Sequence, residues 1–142
     1  MVLTPELLIE GYCQGLFPMA GEDGRIRWYD PEPRAIIPID GFNVSHRLGR
    51  TVRSGRFEIR SDTSFDQVMR LCAEPAPGRE TTWISDEFVA AYTRLHQLGF
   101  AHSVEAWRGD RLVGGLYGVA VRGLFAGESM FSREPDASKV AL

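Results

Sequence analysis

Lysine is almost missing from this 142-residue chain: fifteen of its sixteen basic residues are arginine, with Lys139 the exception. Cysteine is also scarce, and Cys13 and Cys72 stand far apart with no CxxC spacing. That excludes a disulfide scaffold and reads as reduced thiols in a cytoplasmic protein. The three histidines, His46, His96 and His102, form no HExxH or comparable pattern, so no metal is expected. No apolar run approaches the length of a membrane span. Residues 1–20 lack a basic start, and Glu6 and Glu10 interrupt them, which is unlike a secretory signal.

What is present is a globular composition, 44% hydrophobic and 25% charged, with a net charge of −3. The positive charge is concentrated. From His46 to Arg60 there are five arginines and one histidine against the single acid Glu58. Such a segment in an acidic chain points to a local anionic partner.

Helix signals open at Thr4-Pro5, Ser45, Ser64 and Ser85, and Gly15, Gly55 and Gly99 follow three of these helices as stop signals. The first helix carries an apolar stripe of Leu7, Leu8, Tyr12 and Cys13. The helix opened by Ser85 turns Phe88, Val89, Tyr92 and Leu95 to a core. Residues 16–34 read as loop, Ala35–Ile39 as a short strand, Phe57–Arg60 as an edge strand and Pro75–Thr82 as an exposed link. Beyond Gly99 the period changes: Ala101–Arg108, Leu112–Val121 and Leu124–Ser129 read as strands. The links Gly109-Asp110 and Arg122-Gly123 join them as tight antiparallel hairpins. The fold class is α+β: a small N-terminal part, residues 1–62, then a meander-bearing part, residues 63–142.

Three constellations carry chemistry. Arg47, Arg50 and Arg53 step by three along one helix face, with Val44, Leu48 and Val52 opposite, a stripe suited to a phosphate backbone. An ordinary solvated face is the competing reading. The strand Val113-Gly114-Gly115-Leu116-Tyr117-Gly118, taken from Arg111, nearly matches the coenzyme A pyrophosphate loop of acetyltransferases. However, Leu116 replaces the last small residue and the segment follows a hairpin. Finally, Leu124–Arg133 (LFAGESMFSR) places one carboxylate, Glu128, among Phe125, Met130 and Phe131. An isolated charge there is costly to bury without a partner, which marks Glu128 as the candidate site. Trp83 in TTWIS packs a core or walls a pocket. GESMF is not GxSxG, and neither cysteine has an evident histidine partner, so no nucleophile is expected.

The segments GYxxG, FPM, WYxPxPRAIIP, VSxRLxRTxRSGRFE, TWIS, AYxxLHxLGxAHSVE, LVGGLYGVA and LFxGESMFSRxxxASK follow in order from about Leu7 to Leu142. Together they resemble the bacterial leucyl/phenylalanyl-tRNA–protein transferase family. The resemblance implies transfer of Leu or Phe from aminoacyl-tRNA to the α-amine of proteins beginning with Arg or Lys, the N-end rule tagging reaction. It also implies a GNAT-like second domain, no cofactor or metal, a monomer and a cytoplasmic location. An aminoacyl ester is already activated, so positioning and proton transfer suffice.

By the same resemblance, Glu128 orients the α-amino group. Met19, Trp83, Leu116, Phe125 and Ser129 belong to the amino-acid pocket, and Arg47, Arg50 and Arg53 grip the tRNA. Met19 stands where some members carry Trp, Leu116 where others carry Met, and Gly49 where others carry Lys. The family chain continues beyond SKVAL and there supplies an Asp and a Gln for proton transfer. The expectation is therefore a C-terminally incomplete and aggregation-prone chain. Its alternatives are a non-catalytic tRNA-binding fragment and, more remotely, an acyl-coenzyme A acetyltransferase.

Overall fold

A computed structural model describes residues 2–142. Its frame is an antiparallel four-stranded sheet, β3-β4-β5-β6, with a separate two-stranded hairpin, β1-β2, near the N-terminus. In chain order the elements are α1 (Pro5–Cys13), β1 (Phe17–Ala20), β2 (Ile26–Tyr29), α2 (His46–Arg53), β3 (Glu58–Ser61), α3 (Phe65–Ala73), α4 (Asp86–Gln97), β4 (Ala101–Arg108), β5 (Arg111–Val121), β6 (Leu124–Ser132) and α5 (Ala137–Ala141).

The helix starts follow from local chemistry. Thr4, Ser45 and Ser85 each accept a hydrogen bond from an amide three residues on, at 3.2, 3.1 and 3.4 Å. Each satisfies an amide that the first turn leaves unpaired. Ser64 makes no such side-chain bond. The α3 start is held instead by the Glu105 carboxylate of β4, which accepts from the Thr63 and Ser64 amides at 3.1 and 3.3 Å.

One sheet face carries the main core. Leu8 and Tyr12 of α1, Val68, Met69 and Cys72 of α3, and Phe88, Tyr92 and Leu95 of α4 meet Tyr117 and Val119 of β5 there. Burying each large apolar side chain contributes about 1.5–3 kcal/mol. The opposite face holds a smaller cluster of Phe57, Ala106, Val113 and Ala137, which seats α5. Because side chains alternate along a strand, Gly115 and Tyr117 look to the helical core, whereas Gly114, Leu116 and Gly118 look to the other side. A Cβ on Gly115 would meet Val68 and Phe131, and one on Gly114 would lie 2.5 Å from the Ala137 Cβ. The glycines of this strand therefore make room for close protein packing. That accounts for the glycine-rich run without a coenzyme A loop.

Several expectations need correction. Residues 16–34 are not all loop, since Phe17–Ala20 pairs with Ile26–Tyr29 in register. The hairpin is held down by Trp28, whose ring fits against α1 only because residue 11 is glycine; a Cβ there would come within 2.2 Å of it. Ala35–Ile39 forms no strand: it has no pairing partner, and Ile36, Ile37 and Ile39 are 77, 59 and 95% exposed. Cys13 is exposed, and the buried stripe of α1 is Leu8, Gly11 and Tyr12. The apolar face of α2 docks only weakly, with no residue of that helix buried. β3 at 58–61 pairs with β4, so the last strand of the expected N-terminal part joins the sheet of the second.

Candidate functional site

The decisive local feature is an irregularity in β6. Tyr117 lies opposite Ser129, but Gly118 lies opposite Gly127, so Glu128 has no opposing residue on β5. It is the extra residue of a β-bulge, a device that re-aims a side chain next to functional sites. The bulge lets Glu128 and Ser129, adjacent in sequence, both address the helical face, where strict alternation would send one of them to the far side.

Three tyrosines lie near enough there for the Glu128 charge to act on their hydroxyls. Tyr12 of α1 and Tyr92 of α4 share a hydrogen bond at 2.6 Å between their hydroxyls. The Tyr12 hydroxyl is also near enough to act on Glu128 as a donor. Tyr92 stacks on Phe88 and meets Tyr117 edge-on, with ring centroids 5.8 and 5.9 Å apart. Tyr117 is fully buried, and its hydroxyl has no hydrogen-bond partner among the described residues.

Burial raises the Glu128 carboxyl to about 7. The Tyr12 hydrogen bond and the positive charge of Arg34 oppose that rise and are outweighed by it. Burial together with the nearby Glu128 charge drives all three tyrosines well above their ordinary value. Cys72 is pushed up to about 12 by burial, partly offset by a hydrogen bond with Ser129 and the charge of Arg79. The thiol is inert at neutral pH. A carboxyl titrating near neutrality can accept a proton or, once ionised, hold an ammonium group.

The other expected residues lie as follows. Ser129 is half-buried at the bulge beside Cys72. Trp83 is half-buried in the loop before α4, edge-on to Phe88 at 5.6 Å. Met19 is on β1 opposite Arg27, half-buried. Leu116 is buried on β5 opposite Met130, on the face away from the helical core. Phe125, 45% exposed, lies with its ring against Gly118 on that same face. The sheet thus separates Leu116 and Phe125 from the carboxylate and tyrosines.

On α2, Arg50 and Arg53 are exposed, and Arg47 reaches Asp136 beside α5 at 3.6 Å. Sequence reading had assigned Tyr12 and Tyr92 to core packing and gave Tyr117 and Arg34 no role. The available signal was chemical: a buried tyrosine hydroxyl needs a partner, and the one carboxylate in an apolar strand needs a donor.

A second cluster lies elsewhere. Asp62, His96 and His102 bring ligand-type atoms within 4.8 Å of one another, which their spacing in sequence hides. Protein groups engage this cluster. Asp62 accepts from the Ser103 amide at 2.9 Å and pairs with His102 Nδ1 at 2.8 Å. His96 Nδ1 meets the Ala101 carbonyl at 2.8 Å, and His102 Nε2 meets that of Gly99 at 3.1 Å. The arrangement braces the corner between β3, α4 and β4.

Two family models match in tandem: the leucyl/phenylalanyl-tRNA protein transferase N-terminal domain over residues 1–32, and leucyl/phenylalanyl-tRNA protein transferase over residues 36–142. The chain belongs to the leucyl/phenylalanyl-tRNA–protein transferase family. Relatives bearing that name include one from Herpetosiphon aurantiacus, 60% identical over 99% of this chain and 71% of its own length. Another from Gluconobacter oxydans is 57% identical over 99% of this chain and 63% of its own. One from Rubrobacter xylanophilus is 56% identical over the full chain and 73% of its own. Among the described residues no helix is long and apolar enough to cross a membrane.

Proposed function

We propose that this chain carries the amino-acid-orienting and tRNA-gripping parts of an aminoacyltransferase. The enzyme moves Leu or Phe from aminoacyl-tRNA to the α-amine of proteins beginning with Arg or Lys, in the cytoplasm, as a monomer and as the N-end rule tag. In the reaction the acceptor amine forms a bond to the ester carbonyl carbon. The bond from that carbon to the tRNA 3′-oxygen breaks, and the amine's proton ends on the departing hydroxyl. Since the ester is activated, the chain's work is placement.

The observation that carries this reading is the bulged Glu128 facing Tyr12, Tyr92 and Tyr117 within a chain of this family. In its ionised form Glu128 holds the α-ammonium of the tRNA-borne amino acid. The bound cation in turn favours ionisation, lowering a midpoint that burial has raised. Met19, Trp83 and Ser129 form the walls that accept Leu or Phe; Leu116 and Phe125, across the sheet from Glu128, are not among them. Arg47, Arg50 and Arg53 meet acceptor-stem phosphates. The two-part organisation, with a GNAT-like second part, belongs to the same reading, although β3 (Glu58–Ser61), placed in the first part by a 1–62 boundary, pairs in the sheet of the second.

The test is transfer of labelled Leu or Phe from its tRNA to peptides differing only in the first residue. Product on the Arg and Lys peptides, slowed by Glu128→Gln with deacylated tRNA binding retained, is the expected result. Equal rates for Glu128→Gln and its parent remove Glu128 from the chemistry. A second reading is a non-catalytic tRNA-binding piece; the chain spans 63–73% of the length of the relatives above. It predicts tRNA binding without product. In either case Arg50→Ala with Arg53→Ala weakens tRNA binding and makes its salt dependence shallower by about two. An unchanged slope returns both arginines to an ordinary solvated surface.

A further inference from the structure

Arg34 is exposed, yet it is held in place. Its Nη1 donates to the Gly15 carbonyl at 2.7 Å, and its guanidinium lies over the Phe17 ring, 4.8 Å from the centroid. Phe17 is itself stacked on Tyr29. These contacts anchor the segment after the hairpin to the end of α1, three residues beyond Tyr12. Both partners are uncharged. Among the described residues Arg34 enters no ion pair, whereas six other arginines do. Its remaining N–H donors have no partner among the described residues. The positive charge is nevertheless close enough to be felt at Glu128.

A fixed guanidinium with open donors and no anion of its own suits a phosphodiester, whose paired oxygens match the planar fork. Its position selects which phosphodiester. On the proposed function, which this inference rests on, Glu128 holds the α-amine of an amino acid esterified to the terminal ribose. That ribose alone separates the ester from the last phosphodiester of the acceptor end. We propose that Arg34 is the contact for this last phosphodiester, fixing the ester relative to Glu128, whereas the α2 arginines grip the stem.

The experiment is a double-mutant cycle on the 142-residue chain. Its ligands are two deacylated acceptor-stem minihelices ending in CCA, one natural and one with a neutral methylphosphonate at the last linkage. The parent should bind the natural RNA about tenfold more tightly, the scale of one charge-assisted contact. Arg34→Ala should bind both equally, at the parent's weaker level, with a salt slope reduced by about one.

Because the alanine also removes the clasp on Phe17 and Gly15, Arg34→Lys is run beside it. Lysine keeps the charge and loses the fork, so its discrimination between the two RNAs should be intermediate. If both Arg34 variants retain the parent's full discrimination, the contact lies elsewhere and the proposal is overturned. It is also overturned if the parent binds the two RNAs equally while Arg50→Ala with Arg53→Ala still weakens both. Failure of the parent to bind either RNA instead removes the tRNA reading, and this proposal with it.

Discussion

Replacing Glu128 by glutamine should change how stability depends on pH more than it changes stability at any one acidic pH. In the folded chain burial raises the carboxyl from 4.5 to about 7; in the unfolded chain it is solvated and titrates at its ordinary position. Between those two values the native state holds a proton that the unfolded state has released, so stability falls as pH rises through the interval. Each pH unit of that interval is worth about 1.4 kcal/mol. Most of the interval lies between pH 5 and 8, so this carboxyl lowers parent stability by about 2–3 kcal/mol over that range. Above about pH 7 both states are ionised and the loss levels off. Glutamine cannot ionise and nearly preserves shape, so the variant's loss from pH 5 to 8 should be smaller by that amount. Other titrating groups are common to both proteins and cancel in the comparison. The measurement is urea unfolding of parent and variant at pH 5, 6, 7 and 8. Parallel profiles, differing by a constant offset, would refute the claim that Glu128 is ionised against desolvation.

Two further predictions follow the same reasoning. Tyr12→Phe removes a donor that favours the ionised carboxylate, so the Glu128 midpoint should move above about 7; carbon-detected NMR titration of the carboxyl checks it, and an unmoved midpoint dissociates Tyr12 from Glu128. Glu105→Gln should destabilise the fold by about 3 kcal/mol, because at least one donor to a fully buried carboxylate would then face an NH2 group. The donors are the Thr63 and Ser64 amides, the Thr63 and Ser103 hydroxyls and the Trp107 indole. A denaturation midpoint within experimental error of the parent's would show that this cage is dispensable.

The sequence announces those parts of the fold whose cause is local. Thr4, Ser45 and Ser85 declare helix starts because a side-chain oxygen three residues from an open amide is sufficient. Gly109-Asp110 and Arg122-Gly123 declare hairpins because two-residue links leave the chain little choice. Parts with a distant cause are not legible. Ser64 resembles its counterparts, yet α3 is capped by Glu105, 41 residues downstream. Phe17–Ala20 and Ile26–Tyr29 are only four residues each, and their pairing relies on a glycine in α1 that admits Trp28. Ala35–Ile39 has strand composition but no neighbour to pair with. At the site, Glu128 stands out because charge is conspicuous in an apolar strand. Its tyrosines and Arg34 come from elements up to 116 residues apart in sequence (Tyr12 to Glu128), and only tertiary structure brings them together.

The bulge at Glu128 also sets a limit on how stable this sheet can become. Removing one residue from Gly127–Glu128 would let β6 run beside β5 without interruption, recovering ladder hydrogen bonds that the bulge forgoes. A search for stabilising sequences would therefore favour the shorter strand. Yet that strand would turn its acidic residue out of the tyrosine cluster, or have none there at all. The extra residue runs against the pairing of the sheet. On the proposed function, selection for stability alone and selection for transfer would part company at this one position.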